Sequence, residues 1–162
     1  MKRDESNFFA PYKSLGEVCS EIPPVYQHVP YRKDQGFVCC AIGNAVCAYT
    51  IQPFRLRHIS NTLPDKITIL ARDKTHLFAA FGGNKIAMLR HNRMILKYIN
   101  VRVHPKFLLS FGEILVVIDL KNSVHVIDIE ENETILKIDG TSQFDVTAVV
   151  HPLTYMNKVL LI

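Results

Sequence analysis

Short apolar runs broken by turn residues recur along the chain. Val38 to Ile42, Leu77 to Phe81 and Ile114 to Ile118 are continuously apolar, and each leads through a turn containing asparagine into a second apolar-rich run. A strand without polar alternation buries both of its faces, so these segments are expected to be covered on each side by neighbours. Gly43-Asn44 and Gly82-Gly83-Asn84 supply residues that accept positive φ, which tight hairpin turns demand. Each pair of runs is therefore read as a β-hairpin. No amphipathic helix of three turns emerges; the best window, Arg90 to Tyr98, fits a strand equally well.

The hairpins align with one another, and Asn44, Asn84 and Asn122 stand 40 and 38 residues apart. A further strand is expected after each hairpin, at Phe54 to Ser60, Met94 to Ile99 and Thr134 to Ile138. Another is expected before each, at Val25 to Val29, Lys66 to Ala71 and Lys106 to Phe111, with Asp145 to Val150 opening a further unit. Four short strands per roughly 40 residues is the period of a β-propeller blade. Charges in the last strand of a unit, Arg55, Arg57 and Lys137, suit an edge that must not pair with other chains. The expected fold is all-β, a partial propeller with about three complete four-stranded blades, near 24–61, 65–100 and 105–139, and an incomplete fourth over 144–162. Residues 1–23 form an amino-terminal segment, in which Ser14 to Val18 is a candidate propeller-closing strand.

Composition refines this picture. With 48% hydrophobic and 21% charged side chains among 162 residues, the chain can build a core. No apolar run approaches the roughly 20 residues of a membrane-spanning helix. Met1-Lys2-Arg3-Asp4-Glu5 lacks the pattern of a secretory signal, so a cytosolic or nuclear protein without a membrane partner is expected. Cys19, Cys39, Cys40 and Cys47 show no Cys-x-x-Cys spacing and are expected to be small buried hydrophobes, not metal ligands.

The net charge of +4 is unevenly spread. Lys85, Arg90, Arg93, Lys97, Arg102 and Lys106 fall in one stretch that also holds two histidines and no acid. From Glu113 to Asp145 the balance reverses, with eight acids against Lys121 and Lys137. The basic stretch is the candidate contact with RNA phosphates or an acidic partner. Its only aromatic residue is Tyr98, a thin basis for base stacking.

Motifs of catalysis are missing: there is no Gly-x-Ser-x-Gly, no phosphate-binding loop and no His-Glu-x-x-His. Hence no catalytic residue, cofactor or metal is expected. Gly82-Gly83-Asn84-Lys85 is read as a hairpin turn. Asp119 and Asp128 are expected to accept backbone N–H bonds in turns, and His104-Pro105 and His151-Pro152 to lie at loop ends.

The hairpins resemble degenerate WD repeats, with Tyr49-Thr50, Leu89-Arg90 and Ile127-Asp128 in place of the usual Trp-Asp pair. Four segments carry a closer likeness: Phe8-Phe9-Ala10-Pro11-Tyr12-Lys13-Ser14-Leu15-Gly16-Glu17-Val18, Thr62-Leu63-Pro64-Asp65-Lys66-Ile67, Phe78-Ala79-Ala80-Phe81-Gly82 and His151-Pro152-Leu153-Thr154-Tyr155-Met156-Asn157-Lys158. Together they resemble the amino-terminal region of the WD-repeat subunit of the UTP-B subcomplex of the small-subunit processome, over about residues 8–162. That resemblance implies a WD-repeat propeller fragment of a longer protein with two tandem propellers and a helical carboxy-terminal region. It implies a non-catalytic scaffold of a nucleolar pre-ribosomal complex, supporting small-subunit rRNA processing and ribosome biogenesis through protein–protein contacts. The implied partners are other WD-repeat proteins of that subcomplex and of the processome, within a pre-rRNA-containing particle in the nucleus. The alternative is a generic peptide-binding WD-repeat adaptor in cytoplasmic signalling or trafficking.

Overall fold

A computed structural model describes residues 18, 20–29, 36–140, 145–152 and 158–162. Twelve strands form three antiparallel sheets, each laid down in chain order. The first sheet holds β1 (Val25–His28), β2 (Gly36–Ile42), β3 (Ala45–Thr50) and β4 (Arg55–Ile59). The second holds β5 (Ile67–Arg72), β6 (His76–Phe81), β7 (Lys85–Arg90) and β8 (Met94–Asn100). The third holds β9 (Pro105–Phe111), β10 (Ile114–Asp119), β11 (Val124–Asp128) and β12 (Glu133–Ile138). A fourth unit begins with β13 (Val149–Val150), paired with β14 (Leu160–Leu161). No helix occurs among the described residues. The molecule is thus the all-β partial propeller that the repeats predict.

The turns explain the hairpins. Ile42 faces Ala45 across a two-residue turn in which Gly43 has φ of 60°, and Phe81 faces Lys85 across a turn with Gly82 at 57° and Gly83 at 80°. Asn122 takes φ of 60° in the corresponding turn of the third sheet. These left-handed conformations are accessible to Gly and tolerated by Asn, so residue type alone fixes where the chain reverses.

Sheet stacking explains the unbroken apolar runs. In β6, Leu77, Ala79 and Phe81 join Ala41, Val46 and Ala48 of the first sheet in one core. Phe78 and Ala80, between them in the chain, join Leu115, Val117 and Ile127 of the third sheet in another. Both faces of β6 are thus committed, and each fully buried Leu or Phe stabilises the fold by roughly 1.5–3 kcal/mol. β7 behaves alike, sending Ala87 and Leu89 to the first core and Ile86 and Met88 to the second.

The two ends of the stack differ from the middle. On the outer face of the first sheet, Cys40, Cys47 and Tyr49 form a small cluster packed by Val18, Val38, Ile42 and Phe54. The remainder of the closing strand expected at Ser14 to Val18 lies outside the described residues, and Val18 itself is not in a strand. At the other end β12 is exposed throughout, leaving Ile135, Leu136 and Ile138 open to water. Of the strand expected at Asp145 to Val150, only Val149 and Val150 pair as strand, because β14 is their one partner among the described residues. Cys39, Cys40 and Cys47 are buried free thiols, as expected, and burial with the neighbouring Cys40 pushes the Cys39 thiol up to about 12. Cys19 lies outside the described residues.

Candidate functional site

The basic stretch does not fold into one patch. Lys85 opens β7 opposite Asn100, whereas Arg90 closes it opposite Met94. At about 3.4 Å per residue, that separates the two ends of the six-residue strand by roughly 17 Å. Arg102 belongs with Lys85, since the neighbouring Val101 N–H donates to the Asn84 carbonyl at 2.9 Å. Arg93, in the turn after β7, belongs with Arg90. Two of the six are engaged within the fold. The Lys97 ammonium donates to the carbonyls of Ile129 and Glu130, tying β8 to the turn after β11. Lys106 pairs with the Asp145 carboxylate and lies 5.6 Å from the Phe107 ring centre. Lys85, Arg90, Arg93 and Arg102 are exposed, and none forms an ion pair with the described residues.

The acidic turns act as the sequence suggests. Asp119 Oδ1 accepts the N–H groups of Lys121 and Ser123, both at 2.8 Å, and Oδ2 lies 3.1 Å from His125 Nε2. Burial pushes the Asp119 carboxyl up, but the bonds from His125, Ser123 and Lys121 outweigh it and hold the group below its ordinary range. The same turn anchors the segment beyond β12: Ser123 Oγ accepts the Gly140 N–H at 3.1 Å, and Asn122 Oδ1 accepts the Val146 N–H at 3.2 Å. Asp128 accepts the N–H groups of Glu130 and Glu131, and Asp73 those of Thr75 and His76. These carboxylates are spent on backbone donors, a structural use.

A site that sequence reasoning missed lies between the first and second sheets, at the end marked by Arg90. There a cavity of about 490 Å³ is lined by Gln27 and His28 of β1, Phe37 of β2, His58 of β4, Lys74 to His76 before and at the start of β6, and Arg90 to Asn92. On three of these residues a polar atom, Gln27 Oε1, His58 Nε2 or Asn92 Oδ1, is buried from water and has no hydrogen-bond partner among the described residues. Gln27 is 5% exposed and Asn92 2%. Leaving such an atom unpaired costs about 1–3 kcal/mol, so three together are unusual. The His58 ring sits 5.6 Å from that of Phe37 in an edge-to-face arrangement. Its pKa is lowered by burial and by the charges of Arg93 and Arg57, against the opposing effect of the His91 carbonyl. His76 is steadied by Asp73, whose Oδ2 lies 3.2 Å from its Nδ1.

Lys74 and Arg90 stand on the lining of this cavity, and the Asp73 carboxylate lies directly behind its Thr75 and His76. Although three histidines besides His76 contribute, no group of His, Cys, Asp and Glu among the described residues is placed to hold a metal ion. The lining comes from loops and strand ends far apart in the chain, so no spacing motif announces it. The one local signal is the His91-Asn92 pair, both at positive φ (52° and 57°), a turn chemistry that exposes Arg90 and Arg93 while burying the Asn92 amide.

Comparison with known proteins gives a consistent answer. The family described as WDR36/Utp21 first beta-propeller matches residues 38–162. The chain is 28% identical over 161 residues to WD repeat-containing protein 36 of Homo sapiens, covering 99% of this chain and 18% of that protein. It is 25% identical over 163 residues to the U3 small nucleolar RNA-associated protein 21 homolog of Schizosaccharomyces pombe, covering 97% of this chain and 18% of that protein. The chain therefore spans about a fifth of the length of these curated relatives. Among solved structures, BBS1N in its complex with ARL6DN superimposes with a TM-score of 0.62 at 10% identity, over 79% of this chain and 42% of that one. At that identity the likeness concerns the fold alone.

Proposed function

The chain belongs to the family of the WDR36/Utp21 first beta-propeller, and from that premise we propose that it is a non-catalytic scaffold segment of a nucleolar pre-ribosomal complex. It supports small-subunit rRNA processing and ribosome biogenesis through protein–protein contacts. Its partners are other WD-repeat proteins of the UTP-B subcomplex and the processome, inside a particle that contains pre-rRNA. The observation that carries the reading is the family match across 38–162, taken with relatives of which one is itself named for association with U3 small nucleolar RNA.

The fold is consistent with scaffolding. Blades bury their faces against neighbours, and the open flank of β12 asks for one. In this reading the sheets are blades near 24–61, 65–100 and 105–139, with a fourth begun over 144–162 and an amino-terminal segment over 1–23. Where phosphates are contacted, Lys85 with Arg102 and Arg90 with Arg93 act as two separate pairs, and Lys97 and Lys106 serve the fold.

The test is expression of the tagged chain in cells, followed by imaging and identification of co-purifying proteins. Nucleolar signal with processome WD-repeat proteins is expected. A cytoplasmic distribution with signalling or trafficking partners would overturn the scaffold reading in favour of the adaptor.

A further inference from the structure

We propose that two copies of this chain close on each other head to tail, the outer face of the first sheet of one packing on the third sheet and the begun fourth unit of the other, so that together they complete one propeller ring. The inference rests on how the sheets stack and not on which particle the chain joins. It starts from two unfinished faces. In the first sheet Ile59 stands opposite Cys47 and Leu56 opposite Tyr49, so both lie on the outer face with the small cluster of Cys40, Cys47 and Tyr49. Each is about half exposed. In the third sheet Val124 and Val126 alternate with Ile127, which joins the core shared with the second sheet, so Leu136 and Ile138 opposite them face away from that core. These two are also about half exposed, and the fourth unit leaves Leu160, Leu161 and Ile162 open to water.

A second copy matches both faces at once. Within the chain the sheets already stack through apolar side chains, first on second and second on third. The contact needed at the ends is that same stacking, applied once more between copies. The two faces differ, so the contact is heterologous, and such a contact gives a ring if its rotation closes and a filament if it does not. The number of sheets favours closure. Each copy has three four-stranded sheets and one two-stranded sheet, so a pair brings six complete units and two begun ones. That fills a ring at the upper end of the roughly four to eight blades of closed propellers. One copy then spans about half of the ring, and the second covers both of its open faces.

Charge agrees with this pairing. Arg55 opens β4 and Glu133 opens β12, each the first residue in the fourth strand of its sheet. Stacking therefore brings the exposed Arg55 and Arg57 of one copy to the end of the ring where Glu130, Glu131 and Glu133 of the second copy are exposed. Packing first sheet on first sheet would gather the arginines of both copies and leave Leu136 and Ile138 in water.

Sedimentation equilibrium of the purified chain, from submicromolar to about 200 µM, is expected to show monomer passing to dimer with no larger species. Leu56→Lys on one face and Leu136→Glu on the other replace half-exposed side chains, so neither disturbs a core. Each alone should weaken dimerisation at least about a hundredfold, because it strikes both contacts of the ring. Mixing the two variants should restore association at least about tenfold over either alone, since one contact is then unaltered and the other sets the introduced lysine against the introduced glutamate. A chain that stays monomeric at the highest concentration would overturn the proposal and leave the two faces to a partner of another sequence. Species that grow past the dimer would overturn the closed ring in favour of a filament. A dimer broken by only one of the two substitutions, or folded variants that do not complement on mixing, would overturn the head-to-tail arrangement.

Discussion

Replacing Asp119 by Ala removes the acceptor around which the β10–β11 turn is built. Two backbone N–H groups at 2.8 Å and the His125 ring nitrogen at 3.1 Å lose their partner together. Asp119 and His125 are each 7% exposed, so little water stands ready to replace it. Each buried group left without its hydrogen-bond partner costs about 1–3 kcal/mol, so we expect the loss of all three contacts to cost about 3–5 kcal/mol. Against a total stability of about 5–15 kcal/mol for a domain, that leaves a marginal fold. Asp119→Asn keeps an oxygen for the Lys121 and Ser123 N–H groups and gives up the charge-assisted contact, so its cost should be about 1–2 kcal/mol. The assay is pulse proteolysis across a urea series at submicromolar chain concentration, where association is suppressed. Acid provides the sign. The Asp119 carboxyl is held below its ordinary value of 3.8, so its contribution is complete above that pH and is lost as pH falls through the lower folded value. The gap between wild type and Asp119→Ala should therefore narrow below pH 3.8. An Ala variant within 1 kcal/mol of wild type at neutral pH, or an Asn variant as damaged as Ala, would refute the claim that this carboxylate organises the turn.

Other outcomes rest on the same geometry. With Ile135 at 60% exposure and Ile138 at 54%, the chain at micromolar concentration should self-associate, and Ile135→Lys should reduce this in sedimentation velocity; a monodisperse wild type would contradict it. Phe78→Ala, at a fully buried position facing the third sheet, should cost about 3–5 kcal/mol in the same proteolysis assay, and a loss under 1 kcal/mol would count against the stacked-sheet core. Cys39, with its pKa pushed up to about 12, should resist thiol reagents at pH 8 until urea unfolds the chain; rapid native labelling of its peptide would refute its burial.

The repeats made most of the strands legible in advance. The expected runs Leu77 to Phe81 and Ile114 to Ile118 correspond to β6 and β10 within a residue, because an unbroken apolar run followed by Gly or Asn has few other uses. The charge reading transferred less well. Six basic residues adjacent along the chain are divided by the hairpin formed by β7 and β8, which sends Lys85 and Arg90 to opposite ends. Side-chain reach divides them again, because Lys97 finds carbonyls on the next sheet. The cavity was not legible at all: Gln27, His58 and Asn92 come from separate hairpins, and only the stacking of two sheets makes them neighbours.

The double commitment of β6 carries a further consequence, for how the chain finds one pairing. A half-buried strand is locked in place because a one-residue slip turns its apolar side outward. β6 has no polar side to misplace, so slipping against β7 would leave apolar side chains in both cores. What distinguishes the correct alignment is the alternation of bulk, Phe78 and Phe81 against Ala79 and Ala80, and above all the turn that joins the two strands. Gly83 is pinned there twice, by φ of 80° and by the His104 ring, which lies 2.7 Å from where a Cβ would stand. A side chain at that position would therefore do more than strain a turn. It would remove the chief marker of alignment from the central sheet, and the expected defect is a mixture of misaligned conformers, visible as duplicated backbone signals, in place of a uniformly weakened fold.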